Sequence, residues 1–489
     1  MAIYSVGLQC WLEWLPLSTA LTGIAVGMVG LLMLWHFLAP PGAAPPPPRP
    51  FWIDAAIPAL IHGNLPDSTR RSHLHGGPVY VRSFLGRSTV FVSGAANLRK
   101  VLQGEDQLVR SQWPPATAAL LGRHSLSNLA GPDHARLRRM MLPAFTPRAV
   151  QGYYPFISSA TSAALEAWCG SADPVLAYKA VNSLALKIAI GVIAGTGGPW
   201  MQAEAFPAFQ RLVTTWLEGL FAWRIDLSWT RFGKARKARA ALDQMVLESI
   251  EASRSGTEFC AIRVMLDARD ERGVPYSTLE LLDNVMTLLF AGHDTSATAM
   301  LCLLEEMRKH PEGVQALRAE QAAVIAEHGE ELTPTALAAM PLAEGWVKES
   351  MRRTPVVPIV PRTAIQGFEV GGFWVRPGQP VVAGLRSTMQ LDPRFEGSKP
   401  LAFCPERWMA PEASRDAAWM PFGGGPRLCL GNLLSMAELK IFLALLTRRY
   451  DVEFLDHAEA WHYIPLARPL RGMPIRLRPR HLTGKAPSA

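Results

Sequence analysis

The feature that most constrains this chain is a long apolar segment between Ser277 and Pro311. Ser277 and Glu280 have the spacing of a capping box, which predicts the start of a helix, and Pro311 predicts its end. Such a helix would contain about 33 residues and measure about 50 Å. Because residues 281–304 are apolar almost all round, the helix is expected to pass through the middle of a large domain.

Polar residues interrupt this helix at one place, the sequence A-G-H-D-T-S that starts at position 291. Burial of Asp294 and Thr295 costs free energy unless these side chains have partners or a chemical task. In the structural alternative, the Thr295 hydroxyl bonds the carbonyl of Ala291 and bends the helix. Together with Gly292, that bond is expected to open the helix locally.

A second informative stretch is F-G-G-G-P-R-L-C-L-G at residues 422–431, which precedes an apolar helix predicted over about residues 432–450. The glycines allow the backbone to approach a flat group closely. The helix dipole and unpaired N–H groups favour the thiolate of Cys429, and Arg427 adds a positive charge. This combination suits a thiolate bound to iron. The alternative is a buried structural cysteine in a turn, whereas a phosphate loop is disfavoured because the G-x-G-x-x-G spacing fails.

The stretch resembles the cysteine loop of the cytochrome P-450 superfamily, F-G-x-G-x-R-x-C-x-G. The fixed positions are matched here by Phe422, Gly423, Gly425, Arg427, Cys429 and Gly431. The resemblance implies an oxidoreductase, a haem-thiolate monooxygenase that binds haem b with Cys429 as the axial ligand of the iron. It also implies that A-G-H-D-T-S lies on the oxygen side of the haem, where Asp294 and Thr295 help to deliver protons.

Four residues match positions that bind the haem propionates in the superfamily: His134, Arg138, Arg362 and Arg427. His134 and Arg138 are four residues apart and therefore lie on one helical face. A histidine stands at 134 where the superfamily usually has tryptophan. Without the resemblance, this pair would be a solvated basic face.

Three further residues match the structural Glu-Arg-Arg triad of the superfamily, namely Glu349, Arg352 and Arg407. By spacing alone, Glu349 and Arg352 would be an ordinary i,i+3 ion pair. The resemblance implies that the triad holds the cysteine loop and takes no part in the chemistry. Trp408 departs from the usual phenylalanine after P-E-R.

The rest of the chain favours a mainly α fold with small β-sheets. Alternating residues predict strands over 78–93, and short strands over 368–375 and 377–382 around a Gly-Gly turn. No composition shift, repeat or linker divides residues 100–480, which predicts a single large domain. Six cysteines lie far apart without C-x-x-C, which argues against a disulfide framework or a zinc site.

The N-terminal part predicts a membrane anchor. Residues 14–48 contain no charge, and their apolar centre, residues 17–38, would span about 33 Å as a helix. We expect a lead over 1–16, the transmembrane signal anchor over 17–38, a stiff Pro-rich hinge over 39–50 and the haem-thiolate monooxygenase domain over 51–489. Basic residues follow the apolar run, so the domain is expected on the cytoplasmic side, at the endoplasmic reticulum if the source is eukaryotic. A cleavable signal peptide and a core helix are the alternatives.

The resemblance implies a separate flavoprotein reductase that passes electrons from NADPH, since about 440 residues suffice for the haem domain alone. Basic residues that could form a docking face for that reductase are Arg136, Arg139, Lys440, Arg448 and Arg449. A merely solvated surface is the alternative. The net charge of +8 is spread along the chain without a nucleic-acid-binding module, so no nucleic-acid partner is expected.

The resemblance covers about residues 51–480. Within it, H-x-x-x-R at 134–138, P-A-F at 143–145 and T-R-F-G-K-A-x-x-A-R at 230–239 resemble one branch of the superfamily. That branch contains retinoic acid hydroxylases, a cyanobacterial retinoid-binding relative, and plant brassinosteroid and diterpenoid oxidases.

The expected substrate is lipophilic, with an isoprenoid such as a retinoid, sterol or diterpenoid favoured. The segments expected to form its pocket are nearly all apolar and comprise residues 113–126, 209–223, 288–291, 356–360 and 463–467. The alternatives are a fatty-acid hydroxylase, a haem-thiolate isomerase or peroxygenase that needs no reductase, and a non-catalytic haem sensor.

Overall fold

The computed structural model describes residues 77–84, 87–202, 204–392, 395, 402–409, 418–457, 459–463 and 466–480. The predicted lead, transmembrane anchor and Pro-rich hinge lie outside these residues, as does part of the predicted domain.

The described chain is mainly helical, as predicted. Its helices are α1 (Ala95–Gln103), α2 (Pro115–Leu121), α3 (Gly131–Met141), α4 (Pro147–Cys169), α5 (Ala177–Ala194), α6 (Phe206–Leu220), α7 (Arg231–Ser255), α8 (Ala261–Asp267), α9 (Thr278–Lys309), α10 (Pro311–His328), α11 (Pro334–Ala338), α12 (Pro341–Arg353), α13 (Leu385–Leu391) and α14 (Asn432–Arg449). Short 3₁₀ turns lie at Leu142–Phe145, Pro199–Met201, Pro405–Trp408 and Gly425–Arg427.

Small sheets account for the described strands, also as predicted. The strands are β1 (Val79–Phe84), β2 (Arg87–Val92), β3 (Val109–Arg110), β4 (Val175–Leu176), β5 (Ile359–Ala364), β6 (Phe368–Val370), β7 (Phe373–Val375), β8 (Pro380–Gly384), β9 (Tyr450–Phe454), β10 (Trp461–His462), β11 (Arg468–Pro469) and β12 (Pro474–Pro479). The largest sheet has the order β1-β2-β8-β5-β3, and the others are β4-β12-β9, β6-β7 and β10-β11. The turn between β6 and β7 is the predicted Gly-Gly pair, and both glycines have positive φ, 56° and 82°.

Helix α9 runs through the core and begins with the predicted capping box. The Glu280 N–H donates to Ser277 Oγ at 3.2 Å, and the Ser277 N–H donates to Glu280 Oε2 at 2.8 Å. Residues 281–289 and 296–307 are buried, whereas residues 290–295, apart from His293, have exposed surface. We call residues 290–295 the exposed segment of α9.

The predicted local opening of α9 is wrong, because the helix is continuous through the exposed segment. The Thr295 hydroxyl does donate to the Ala291 carbonyl oxygen, at 2.5 Å. A carbonyl oxygen has two lone pairs, so it can accept this bond in addition to the backbone bond of the helix.

Helices α9 and α14 are joined by a buried polar contact. Helix α14 starts directly after the cysteine loop and is buried over residues 437–448. The Ser296 hydroxyl of α9 donates to Glu438 Oε2 of α14 at 2.8 Å. Burial raises the pKa of the Glu438 carboxyl to about 8, so this group is protonated in the folded protein at neutral pH.

Two described helices, α5 and α9, are as long and as apolar as a membrane span, and most of each is buried inside the domain. Their burial accounts for their composition without a membrane.

Replacement of Glu438 by glutamine is expected to flatten the dependence of stability on pH. Between the ordinary pKa of 4.5 and the folded value of about 8, the folded protein holds one more proton than the unfolded chain. Its stability therefore falls as pH rises, by about 3 kcal/mol between pH 5 and pH 7 from this group alone. The measurement is the thermal midpoint of the wild type and of Glu438→Gln from pH 5 to pH 8. Parallel curves for the two proteins would contradict the assignment.

Candidate active site

The cysteine loop is folded tightly against the end of α1. The Cys429 N–H donates to the Phe422 carbonyl oxygen at 3.1 Å, and the Leu428 N–H donates to that of Gly425 at 3.0 Å. Gly425 has φ of 63°, and a Cβ atom there would lie 2.2 Å from the Leu102 carbonyl oxygen. Glycine is therefore required at 425 by both conformation and space.

The Cys429 side chain has accessible surface although it lies inside the domain. Burial raises the pKa of its thiol, while the Gly431 N–H and Arg138 act in the opposite direction. The Gly431 N–H and Arg138 favour the thiolate, as expected of a cysteine at a helix N-terminus beside an arginine, but in the free thiol desolvation by the surrounding protein outweighs them. A bound metal ion overcomes that penalty, since a coordinating thiol is deprotonated.

The predicted propionate ligands lie together beside this cysteine, and we call His134, Arg138, Arg362 and Arg427 the basic cluster. Arg138 Nη2 donates to the Leu428 carbonyl oxygen at 2.5 Å. Arg427 donates to the carbonyl oxygens of Leu126 and Leu129 at 3.2 and 2.5 Å. These bonds fix the cluster to the loop between α2 and α3 and to the cysteine loop.

His134 differs from the arginines in its charge. It is buried, and burial together with Arg427 and Arg138 lowers its pKa to about 4. The imidazole is therefore neutral at neutral pH and supplies an N–H donor. His134 therefore differs from the three arginines in supplying an uncharged donor.

Sequence reasoning missed one member of the site, Glu105. Its buried carboxylate lies between two arginines of the basic cluster, with Arg362 Nε 2.7 Å from Oε2 and Arg427 Nε 3.3 Å from Oε1. The Ser111 N–H also donates to Oε1, at 2.8 Å. No motif marks this residue, because its partners are distant in the sequence.

The exposed segment of α9 supplies the other polar groups of the site. Asp294 has a side chain that is 35% exposed, and its Oδ1 lies 3.3 Å from Nδ1 of the buried His293. His293 Nε2 lies 3.1 Å from the Asn182 carbonyl oxygen, which can only accept, so Nε2 carries the hydrogen. Burial lowers the pKa of His293, whereas Asp294 acts to raise it.

Packing connects the exposed segment with the cysteine loop. Phe290 of α9 and Leu430 and Leu434 beside Cys429 all contact one apolar cluster. The Trp113 and Phe290 rings meet edge to face at 5.9 Å, and Phe209 and Trp216 of α6 are buried in the same cluster. The structure thus brings together parts of three segments predicted to form the substrate pocket.

The predicted triad forms a fully buried network around Glu349. Arg352 donates to both carboxylate oxygens at 2.9 Å, and Arg407 Nε lies 3.2 Å from Oε1. The Cys404 N–H donates at 3.1 Å, and Trp408 Nε1 donates at 2.9 Å. Trp408, the departure from the family pattern, is thus a further partner of the triad.

The predicted basic docking face is wrong as a group. Lys440 is buried with its Nζ 3.1 Å from Glu344 Oε2, and the buried Arg448 donates to Gln321 Oε1 at 2.9 Å. Both side chains point inward because α14 is surrounded by other helices, so they cannot meet a partner protein. The remaining three are paired at the surface: Arg136 with Glu280, Arg139 with Glu271 at 2.9 Å and Arg449 with Glu166 at 4.0 Å.

The residues present fit haem. An accessible thiol faces inward, three guanidinium groups suit two carboxylates, and apolar side chains such as Phe290 and Leu430 suit a macrocycle. The fully buried carboxylate of Glu105 among these arginines indicates that the cluster is built for charge balance.

Comparisons with known proteins agree with this geometry. Residues 45–464 match the family model described as Cytochrome P450. Human cytochrome P450 26C1 is 30% identical over 452 residues, which cover 86% of this chain and 85% of that protein. The putative cytochrome P450 120 of Synechocystis is 31% identical over 418 residues, covering 83% and 90%. Retinoic acid-bound cyanobacterial CYP120A1 superposes with a TM-score of 0.78 at 28% identity, over 90% of this chain and all of that one.

Replacement of Gly425 by alanine is expected to destabilise the protein more than replacement of Gly423. Both positions have positive φ, which costs roughly 1–2 kcal/mol for alanine. At 423 the new Cβ would meet no atom within 4 Å, whereas at 425 it would collide with a backbone oxygen. The measurement is the thermal midpoint and the haem content of the two purified variants. Equal losses would mean that conformation alone, and not the contact with α1, requires Gly425.

Proposed function

Because the chain belongs to the cytochrome P450 family of monooxygenase oxidoreductases, we propose that it inserts one oxygen atom from O₂ into a lipophilic substrate, with a retinoid favoured. The observation that carries this proposal is the placement of Cys429 and the exposed segment of α9 around one apolar cluster, with the basic cluster beside the cysteine.

On the cysteine side, Cys429 would bind the iron of haem b, and the basic cluster would hold its two propionates. Phe422 and Gly431 frame the cysteine, since the Phe422 carbonyl accepts from the Cys429 N–H and the Gly431 N–H lowers the thiol pKa. Haem, when bound, supplies activation of O₂ and oxygen insertion into a C–H bond.

On the opposite side, Asp294 and Thr295 would handle protons. Asp294 is partly exposed, so its carboxyl can exchange protons with solvent. The Thr295 hydroxyl donates to the Ala291 carbonyl oxygen, which leaves the lone pairs of its own oxygen free to accept a hydrogen bond from a neighbouring donor.

The substrate proposal is supported by the retinoic acid bound to the similar cyanobacterial enzyme and by the branch motifs at 134–138, 143–145 and 230–239. The partly exposed aromatic rings of Trp113 and Phe290, which meet edge to face, suit a polyene or another isoprenoid. A sterol, a diterpenoid and a fatty acid are the competing substrates.

We propose that electrons come from NADPH through a separate flavoprotein reductase. Product formation that requires both NADPH and a reductase would support this route. Turnover with peroxide alone would favour the isomerase or peroxygenase alternative, and ligand binding without any product would favour a haem sensor.

We also propose that the protein is attached to a membrane by one span, residues 17–38, with its domain on the cytoplasmic side. The loop between α6 and α7 supports a nearby bilayer, because Trp223 and Trp229 there are 87% and 71% exposed. Flotation of the full chain with liposomes, with and without residues 1–50, tests the anchor.

Replacement of Cys429 by serine is expected to abolish the shifted absorption band of the reduced CO complex, since serine does not supply a thiolate. Cys169→Ser, at a half-buried cysteine on α4, is the matched control and should keep the band. A Cys429→Ser protein that kept the band would refute the ligand assignment.

Titration of the purified haem protein with retinoic acid is expected to shift its haem absorption band at lower concentration than titration with a saturated fatty acid. We expect the rigid polyene to fit the apolar pocket better than the flexible chain. Both ligands carry a carboxylate, so the comparison isolates this difference in fit. A tighter response to the fatty acid would favour the fatty-acid hydroxylase.

A further inference from the structure

Glu105 is a buried carboxylate to which the proposed function gives no role. Its side chain is 0% exposed, and its two oxygens face the Nε atoms of Arg362 and Arg427 at 2.7 and 3.3 Å. Burial of a carboxylate without partners costs much free energy, so the two arginines are what stabilise the buried charge of Glu105.

The backbone around Glu105 is held rigidly. The Gly104 carbonyl oxygen accepts from the N–H groups of Gln107, Leu108 and Val109 at 2.7–3.1 Å. Asp106 has φ of 63°, and its Oδ2 accepts from the Gly131 N–H at 2.8 Å at the start of α3. Glu105 therefore sits in a fixed turn between α1 and the helix that carries His134 and Arg138.

The carboxylate contacts one edge of each guanidinium and leaves the other edge available. Arg427 uses one hydrogen of each terminal nitrogen for the carbonyls of Leu126 and Leu129. Each terminal nitrogen carries a second hydrogen. With Nε at ion-pair distance from Glu105, those second hydrogens are the donors that Arg427 retains for an anionic ligand.

The charges of the site balance when Glu105 is included. Arg138, Arg362 and Arg427 carry three positive charges, and burial together with two of these arginines lowers the pKa of His134 and favours its neutral form. Two propionates would neutralise two of the three. Glu105 supplies the third negative charge at a buried position.

We propose that Glu105 is a positioning residue of the haem site, which orients Arg362 and Arg427 toward the propionates and balances the third positive charge. This inference rests on the proposed function. Its effect on haem is indirect, through the two arginines.

The test uses the full-length holoprotein and the variants Glu105→Gln and Glu105→Asp. Glu105→Gln is expected to release haem to excess apomyoglobin about tenfold faster, because the arginines lose an ionic partner. The midpoint potential of its ferric–ferrous couple should shift to more positive values, because removal of a negative charge favours the reduced form. Glu105→Asp keeps the charge but withdraws the carboxylate, so it should release haem faster with a potential close to that of the wild type.

Glu459→Gln is the matched control. Glu459 is also buried and also accepts backbone N–H bonds, from Arg471 and Met473, but it lies outside the site. It should change neither haem release nor potential. Unchanged release and potential in Glu105→Gln, or equal shifts in the control, would overturn the inference.

The proposed function is judged separately in the same samples. All variants keep Cys429, so each should retain the shifted band of the reduced CO complex. Absence of that band from the wild type would refute the proposed function and this inference together. If the wild type shows the band, and Glu105→Gln matches the wild type in haem release and midpoint potential, this inference alone is refuted.

Discussion

The carboxylate of Glu349 joins α12 to the segment that precedes the cysteine loop. This side chain is completely buried. Its carboxylate accepts from Arg352, Trp408 and the backbone N–H of Cys404, and Arg407 Nε lies 3.2 Å away as an ion-pair partner. A buried ion pair that lost one partner would leave an uncompensated charge, which typically costs 3–5 kcal/mol. The network therefore ties α12 to residues 404–408, the described segment that precedes the cysteine loop.

The cysteine side and the α9 side of the site differ in whether their charged groups are fixed and buried or accessible to solvent. Beside the cysteine, Arg138 and Arg427 donate to backbone carbonyl oxygens, and the Glu105 carboxylate accepts from the Ser111 N–H, so these charged groups are fixed in place. On the exposed segment of α9, the Asp294 carboxyl is partly exposed to solvent. The Thr295 hydroxyl and the Nε2–H of His293 each donate to a backbone carbonyl oxygen. A fixed charge suits the binding of a cofactor, whereas an accessible carboxyl suits proton exchange. This division follows from burial and not from the residue types alone.

Sequence patterns predicted much of this fold because the signals were local. The capping box at Ser277, the Gly-Gly turn and the start of α14 were confirmed by the structure. The residues of the basic cluster were also identified, through motif positions. Glu105 was missed, since its partners at 362 and 427 become neighbours only on folding. Lys440 and Arg448 were placed on the surface wrongly, since a charged residue in a sequence does not show that it has a buried partner.

The composition of α5 and α9 has a consequence for how the chain is made. Both helices are long and apolar enough to span a membrane, and most of each is buried in the folded domain. Helix α9 is covered partly by α14, which is synthesised after it. A nascent chain would therefore expose part of an apolar helix until α14 emerged from the ribosome, and exposed apolar surface of this kind promotes aggregation or misinsertion.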